Sequence, residues 1–492
     1  MRLPWKRASV DKTGELQAND SVIPMKPQQS IEAAVEDPVD EEETPFEKSF
    51  EDAMKESFDI GRRSRSSSYD PNDPDKQYVP PRKMSWWMLT MLMCGYMVGI
   101  GVLSIPSAFQ TLGWVGGTLI LTGIYLITTA TGYFIYYMGL RYPTVRSYAT
   151  MSRRLWGKPG MYFTAFIAYS YFFALLTSDL LTSSLTWKNM LQKEHICTVA
   201  FAAIAYAMML LAGQARSLFE ITYIILVAIT FIVIPIILVC VRSPVIGAGL
   251  AKTYASSSAS FYEGLTAAMD IIFAFTGHLI YFEFMAELKR VEDFPTALWL
   301  SQTFSYACYL TLSAVAYYYL GNTGKMESPV TLVIKHGAIH YVNDVFMVIH
   351  VTIAGTIGGN VLSRAVQWTF QPLVAGGLRK FRDGSIRNRL WWLLWTGLTY
   401  GGAFLVAELI PFFSSFIGIM TSLFSSFLTF IIPSAFYFWE FWHDTRWYQK
   451  LLPLFCFLVG FLMLTLGSYG TFKSLIVAIE HTGKPFSCDR KF

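Results

Sequence analysis

A helix cannot stop halfway across a bilayer unless protein covers its loose backbone ends, and this chain stops two helices there. Residues 86–109 read WWMLTMLMCGYMVGIGVLSIPSAF, apolar and long enough to cross a membrane, which takes about 20 residues. In their middle sits Gly99-Ile100-Gly101, with Pro106 following. A second apolar stretch, 264–285, is interrupted at Thr276-Gly277-His278. Lipid offers no hydrogen bonds, so backbone that leaves the helix at this depth has to line a cavity in protein. Two such breaks in corresponding halves of a chain point to a ligand site at the bilayer midplane. Gly-Ile-Gly by itself also suits close helix packing. Pro106 and the second break turn the reading toward broken helices.

Composition agrees. Only 15% of the 492 residues are charged and 53% are hydrophobic, against about 25% charged in soluble domains. The chain therefore reads as an all-α polytopic membrane protein. The net charge of +4 is too small to suggest nucleic acid, and it is unevenly spread. Residues 1–83 hold 13 Lys/Arg and 18 Asp/Glu, a balance of −5, so the remainder carries +9. The six cysteines form no CxxC pair, and neither a disulfide framework nor a metal cluster is expected. The chain has no HExxH, no paired catalytic aspartates in its spans and no Ser/His pair in a fitting context, so neither an enzyme nor a cofactor is expected. The N-terminus is long, polar and acidic, unlike a cleavable signal.

Three regions follow. Residues 1–83 are an acidic, Ser-rich cytoplasmic tail, mostly disordered by composition. Within it Phe46, Phe50, Met54 and Phe58 trace an amphipathic helix, and Arg62-Arg63-Ser64-Arg65-Ser66-Ser67-Ser68 suits phosphorylation. A kinase or a ubiquitin-ligase adaptor is the partner expected there. Residues 84–472 hold eleven expected spans, with cores at 86–110, 115–139, 161–185, 196–213, 218–241, 264–286, 297–320, 342–368, 391–410, 412–437 and 451–472. Only Glu408 and Pro411 separate spans 9 and 10, so ten spans is the other reading. Residues 473–492 are a short tail. With the N-terminus inside, the inner loops hold fifteen Lys/Arg and the outer loops six, which favours a cytoplasmic N-terminus. The breaks in spans 1 and 6, with Pro235 in span 5 and Pro433 in span 10, fit a five-plus-five repeat. An odd number of helices per repeat inverts one half relative to the other.

The run Gly99-Ile-Gly-Val-Leu-Ser-Ile-Pro-Ser-Ala-Phe-Gln-Thr-Leu-Gly-Trp114 resembles the first-helix signature of the amino acid/auxin permease family. Phe273-Ala-Phe-Thr-Gly-His278, with Glu283, Glu287 and Asp293-Phe-Pro295, resembles its sixth-helix signature, and Pro411 and Pro433 sit where that family has late prolines. The resemblance covers about residues 84–472, with a flavour of fungal neutral amino acid permeases. It implies eleven helices, a fold like that of the bacterial leucine transporter, and secondary transport of amino acids. One departure is Arg290-Val291, where many relatives carry an acidic residue and proline; it bears on the pairing of gate charges.

The substrate expected is a zwitterion. Free N–H groups at the start of the second half-helix, around Gly99, Ile100, Gly101 and Val102, favour its carboxylate. Freed carbonyls there and at Phe275, Thr276 and Gly277 can accept its ammonium. His278, Asp179 and Asp270 are candidates to carry a coupling proton, because an ionisable group in mid-membrane is functional by default. For His278 the alternative is a neutral imidazole fixing unwound backbone. Arg216, Glu220, Glu283, Glu287 and Arg364 are candidates for an inner gate. Glu408, near an outer end, is expected to be exposed. Thr352, Thr356, Asn360 and Ser363 of span 8 offer a weaker Na⁺ alternative opposite span 1. Proton-coupled import of neutral amino acids by alternating access is the resulting expectation, at the plasma membrane first and the vacuolar membrane second. A vacuolar exporter, a Na⁺-coupled carrier and a non-transporting receptor are the alternatives.

Overall fold

The computed structural model describes residues 84–482 except 193–195, 215–220, 248–250, 257–258, 376–385 and 411. The tail helix 46–58, the serine cluster 62–68, Arg216 and Glu220 lie outside the described residues. Helices make up nearly all of the described chain: α1 (Trp86–Met97), α2 (Ile105–Arg141), α3 (Tyr148–Leu191), α4 (Thr198–Ala212), α5 (Ile221–Gly247), α6 (Phe261–Ala274), α7 (Tyr281–Glu287), α8 (Phe294–Leu320), α9 (Ala338–Ala375), α10 (Ile386–Leu409), α11 (Phe413–Met420), α12 (Ile432–Phe441), α13 (Leu451–Leu462) and α14 (Ser468–Thr482). A π-helix, Thr421–Ile431, joins α11 to α12, and a shorter one, Met463–Gly467, joins α13 to α14.

Eight continuous helical segments among the described residues are long and apolar enough to cross a membrane. That is fewer than the eleven expected from sequence, for identifiable reasons. The first is that α1 has 12 residues, about 18 Å at 1.5 Å per residue, too short to cross alone. The rest of expected span 1, from Ile105, meets span 2 at a kink: Gly113 has non-helical backbone, so α2 is two helices joined there. Gly113 sits at φ +77°, a conformation in which a side chain is strained, and a Cβ there would meet the Ala255 carbonyl at 2.8 Å. The backbone N–H groups of Trp114 and Val115 donate to Tyr254 and Ala255, so the loop before α6 closes over this bend.

α3 joins a short helix from Tyr148 to the longer helix of expected span 3 at a kink, Gly157, φ +69°, with Pro159 just beyond. Tyr148 and Met151, ahead of the bend, are buried. At the other end of the chain α14 runs on to Thr482, past the boundary at 472.

Packing sorts the helices into two groups bridged by α5. α2 packs on α6 and α8, and α8 packs on α1, while α9 packs on α3, α5 and α10, and α3 packs on α4 and α10; α5 also packs on α8 and α1. α11 and α14 lie against α6. A short parallel pairing of Met84 with Leu288 joins the chain just before α1 to the chain just after α7. Met84 N–H donates to the Glu287 carbonyl at 3.1 Å, and Lys289 N–H donates to the Met84 carbonyl at 2.9 Å.

Two expectations about single residues are corrected here. Glu408 is 3% exposed, because the end of α10 turns it into the protein rather than to the outer surface. Cys197 is disulfide-bonded, whereas Cys94, Cys240, Cys308 and Cys456 are free thiols. Cysteine spacing cannot reveal a bridge between distant segments.

Candidate functional site

The two breaks touch. α1 stops at Met97, Gly99 turns the chain at φ −118°, ψ −149°, and one 3₁₀ turn, Ile100–Leu103, leads into α2. α6 stops at Ala274, and a 3₁₀ turn, His278–Ile280, leads into α7. A Cβ on Gly101 would lie 2.9 Å from the Ala274 Cα and 2.9 Å from the Phe273 ring. Glycine at 101 is therefore what lets one unwound segment lie against the end of the other helix. Gly277 does the same against the Met97 side chain, where a Cβ would come within 3.0 Å.

Local hydrogen bonds satisfy only part of the freed backbone. Gly99 N–H donates to Met97 at 2.9 Å, and Ser104 Oγ donates to the Gly101 carbonyl at 3.0 Å. Phe275 and Thr276 N–H donate to Ile272 and Phe273, and Thr276 Oγ1 donates to Ile272. Between the breaks stands Tyr309 of α8, fully buried, its hydroxyl 2.8 Å from the Met97 carbonyl and 2.8 Å from the Ala274 carbonyl. A phenol has one hydrogen to give. At any moment it serves one of these helix-end carbonyls, and the other retains acceptor capacity. Val102 and Ile100 are buried beside Gly101. Phe275 is fully buried with its ring 5.1 Å from that of Tyr309, so only its backbone is placed to meet a ligand.

The three proton-carrying candidates are not brought together. His278 is fully buried and points at α2: its Nε2 lies 2.9 Å from the Thr128 carbonyl and 2.9 Å from Thr131 Oγ1. A carbonyl only accepts, so Nε2 carries the hydrogen, and Nδ1 is left buried with no partner. Asp270 on α6 accepts a short hydrogen bond from Ser414 Oγ at the start of α11, and its Oδ1 has no partner. Asp179 lies deep in α3, 6% exposed, with its Cβ beside Gly355 of α9. No hydrogen bond reaches its carboxylate among the described residues. One turn further along the same face of α9, Tyr400 of α10 contacts the Thr356 carbonyl at 3.3 Å and Asn360 Oδ1 at 3.2 Å. Asn360 and the Thr356 carbonyl thus face α10.

Of the inner-gate candidates, Glu283, Glu287 and Arg364 are all engaged in interactions. A different charge cluster, not expected from sequence, joins α2 to α12. Arg141 Nε lies 3.0 Å from Glu440 Oε1, Tyr142 Oη donates to Glu440 Oε2 at 2.6 Å, and the Arg154 guanidinium sits 4.8 Å from the centre of the Tyr142 ring. Burial, and then the bond to Glu440, raises the Tyr142 phenol above its ordinary value. The partners are about 300 residues apart, which no local pattern encodes. Tyr309 was missed for a simpler reason: nothing marks it among 27 tyrosines.

Comparison with known proteins is consistent with these features. The family described as transmembrane amino acid transporter protein matches residues 82–473. An N amino acid transport system protein of Neurospora crassa is 25% identical over 82% of this chain and 88% of its own length. A transmembrane transporter of Gibberella moniliformis is 23% identical over 83% and 88%. Among solved structures, Mhp1, a nucleobase-cation-symport-1 family transporter in a closed conformation with bromovinylhydantoin bound, aligns with a TM-score of 0.48 at 13% identity, covering 83% of this chain and 95% of that one. With its match running through nearly all of the described helices, the chain belongs to the transmembrane amino acid transporter family.

Proposed function

We propose that this protein carries neutral amino acids across a membrane by alternating access, driven by a proton gradient, with the substrate's charged ends held by the two breaks. The observation that carries this reading is the single Tyr309 hydroxyl set between the Met97 and Ala274 carbonyls. One helix-end carbonyl always has room for a further donor, and a substrate ammonium is such a donor. N–H groups at the start of the second half of the first broken helix favour the carboxylate. Net-neutral ligands suit a site whose walls, Gly99 to Val102 and Phe275 to Gly277, carry no fixed charge. The name of the Neurospora crassa relative is consistent with amino acid cargo.

The count of eleven crossings follows if α1 and the first part of α2 form one crossing, α6 with α7 another, α11 through α12 another, and α13 through α14 the last. The packing of α2 on α6 and α8, and of α8 on α1, suits a bundle that rocks against α3, α4, α9 and α10. Orientation with the N-terminus inside draws on the basic inner loops and on Cys197. Its disulfide lies between α3 and α4 on what would be the outer side, where oxidising conditions let such bonds persist. The plasma membrane is the favoured location. Asp179 is the favoured proton carrier, because a buried carboxylate without a hydrogen-bond partner is stabilised by taking up a proton.

Uptake of labelled neutral amino acids into proteoliposomes, with an inward proton gradient and no Na⁺, tests the reading. Accumulation is expected. Uptake that requires Na⁺ overturns the proton coupling, and no uptake under either gradient favours a receptor.

A further inference from the structure

Outside the breaks, the most heavily networked buried charge lies where α9 begins. Asp344 is fully buried. Its Oδ2 accepts from Asn189 Nδ2 of α3 at 2.8 Å, and its Oδ1 accepts from Asn343 Nδ2 at 2.7 Å. His340 Nε2 lies 3.0 Å from the same Oδ2 and 2.9 Å from the Asn189 carbonyl. Two amide N–H donors thus converge on one carboxyl group beside His340, whose Nε2 hydrogen goes to the Asn189 carbonyl, an arrangement that suits the ionised form, which only accepts.

Each amide nitrogen has a second hydrogen, and both are spent on one segment. Asn189 Nδ2 also reaches the Ile334 carbonyl at 3.2 Å, and Asn343 Nδ2 the Thr331 carbonyl at 3.2 Å. Gln192 Nε2 donates to the Lys335 carbonyl. Residues Val330 to Ile334 lie outside the long helices yet are all buried, packed against α3 and α5. They form a plug fastened by the two asparagines that Asp344 orients. Thr331 Oγ1 and Asn343 Oδ1 are buried in it with no partner, so the fastening rests on few contacts.

We propose that Asp344 is a second proton-binding site, facing the outer solvent, and that its charge holds the 330–335 plug in place. A proton from solvent adds to one carboxylate oxygen, and no other bond forms or breaks. Protonated, that oxygen turns an O–H toward an N–H, so at least one asparagine loses its anchor and the plug loosens. His340 positions the carboxylate and does not carry the switching proton. An imidazolium at 340 would strengthen the pair and keep the plug fastened.

Among the described residues, other charges around the pair are few. His336 lies in the same loop, and Lys335 is held by Glu327 at 2.5 Å. Lys188 of α3 is already engaged, and Arg242 is the single charged residue of α5. The assignment to the outer side rests on the orientation proposed above.

The test uses the full-length protein in intact cells, with Leu332→Cys in the plug and Ser256→Cys as an exposed reference. Labelling by a membrane-impermeant maleimide is read as the ratio of the two, after subtracting the parent protein. The ratio is expected to rise roughly tenfold from neutral to mildly acidic external pH, as a plug that opens by population shift requires. Adding Asp344→Asn should leave the ratio high at both pH values. Adding His340→Gln, which keeps a donor, should preserve the pH response. A ratio independent of pH in the Leu332→Cys protein overturns the proposal, as does a response that survives Asp344→Asn or disappears in His340→Gln. Labelling that appears only after permeabilisation breaks the orientation and the outer assignment with it. Because the readout needs no transport, failure of proton-coupled uptake leaves this result standing.

Discussion

The breaks and the α3–α9 layer both keep polar groups far from water, in opposite ways. At the breaks the polar groups are backbone, and neutral hydroxyls tend them: Ser104, Thr276 and Tyr309. In the layer they include ionisable side chains, Asp179 and Asp344, on helices that also bury Thr182, Asn343 and Asn360. On the function proposed above, substrate ends would be held by the first region and protons by the second. The two regions belong to different packing groups, so proton and amino acid would act on each other through helix movement rather than by contact. That is coupling by preference for a shared state, and it is only as strong as each ligand's difference in affinity between states.

The substitution expected to strain this contrast most is Gly101→Val. Its Cβ would meet the Ala274 backbone at 2.9 Å, which nothing flexible can relieve. Transport should be abolished with protein still at the membrane, measured as uptake per surface-labelled carrier; normal uptake would remove the breaks from the site. Next is Asp179→Asn. If protons act in the layer, gradient-driven accumulation is lost while exchange of internal for external amino acid persists, and counterflow separates the two. Tyr309→Phe removes the hydroxyl donor shared by the Met97 and Ala274 carbonyls, leaving Met97 only its bond from Gly99 N–H. Uptake should fall about tenfold, corresponding to 1–2 kcal/mol, chiefly through KM. The smallest effect is expected from His278→Gln. The amide can still donate to Thr128, so uptake should change by about twofold or less and the pH profile should keep its shape. A flattened profile would move proton handling into the breaks and dissolve the contrast.

The breaks were legible in the sequence because Gly99, Gly101, Pro106 and Gly277 punctuate it locally. The same locality explains what was not. Tyr309 serves Met97, 212 residues away, and Glu440 meets Arg141 across 299. Glu408 was read as exposed from its place near a helix end, but burial is decided by what packs over that end. The disulfide at Cys197 was invisible to spacing altogether. Asp179, Asp270 and His278 were found as intramembrane ionisable residues, but what each faces came only from packing.

The pairing of Met84 with Leu288 makes a yoke of two short half-helices. α1 and α7 are separate in sequence, yet neither can swing without pulling the other through those two backbone hydrogen bonds. Met84 also directly follows the 83-residue N-terminal tail. A force on the chain just ahead of Met84 would therefore reach both short helices at once.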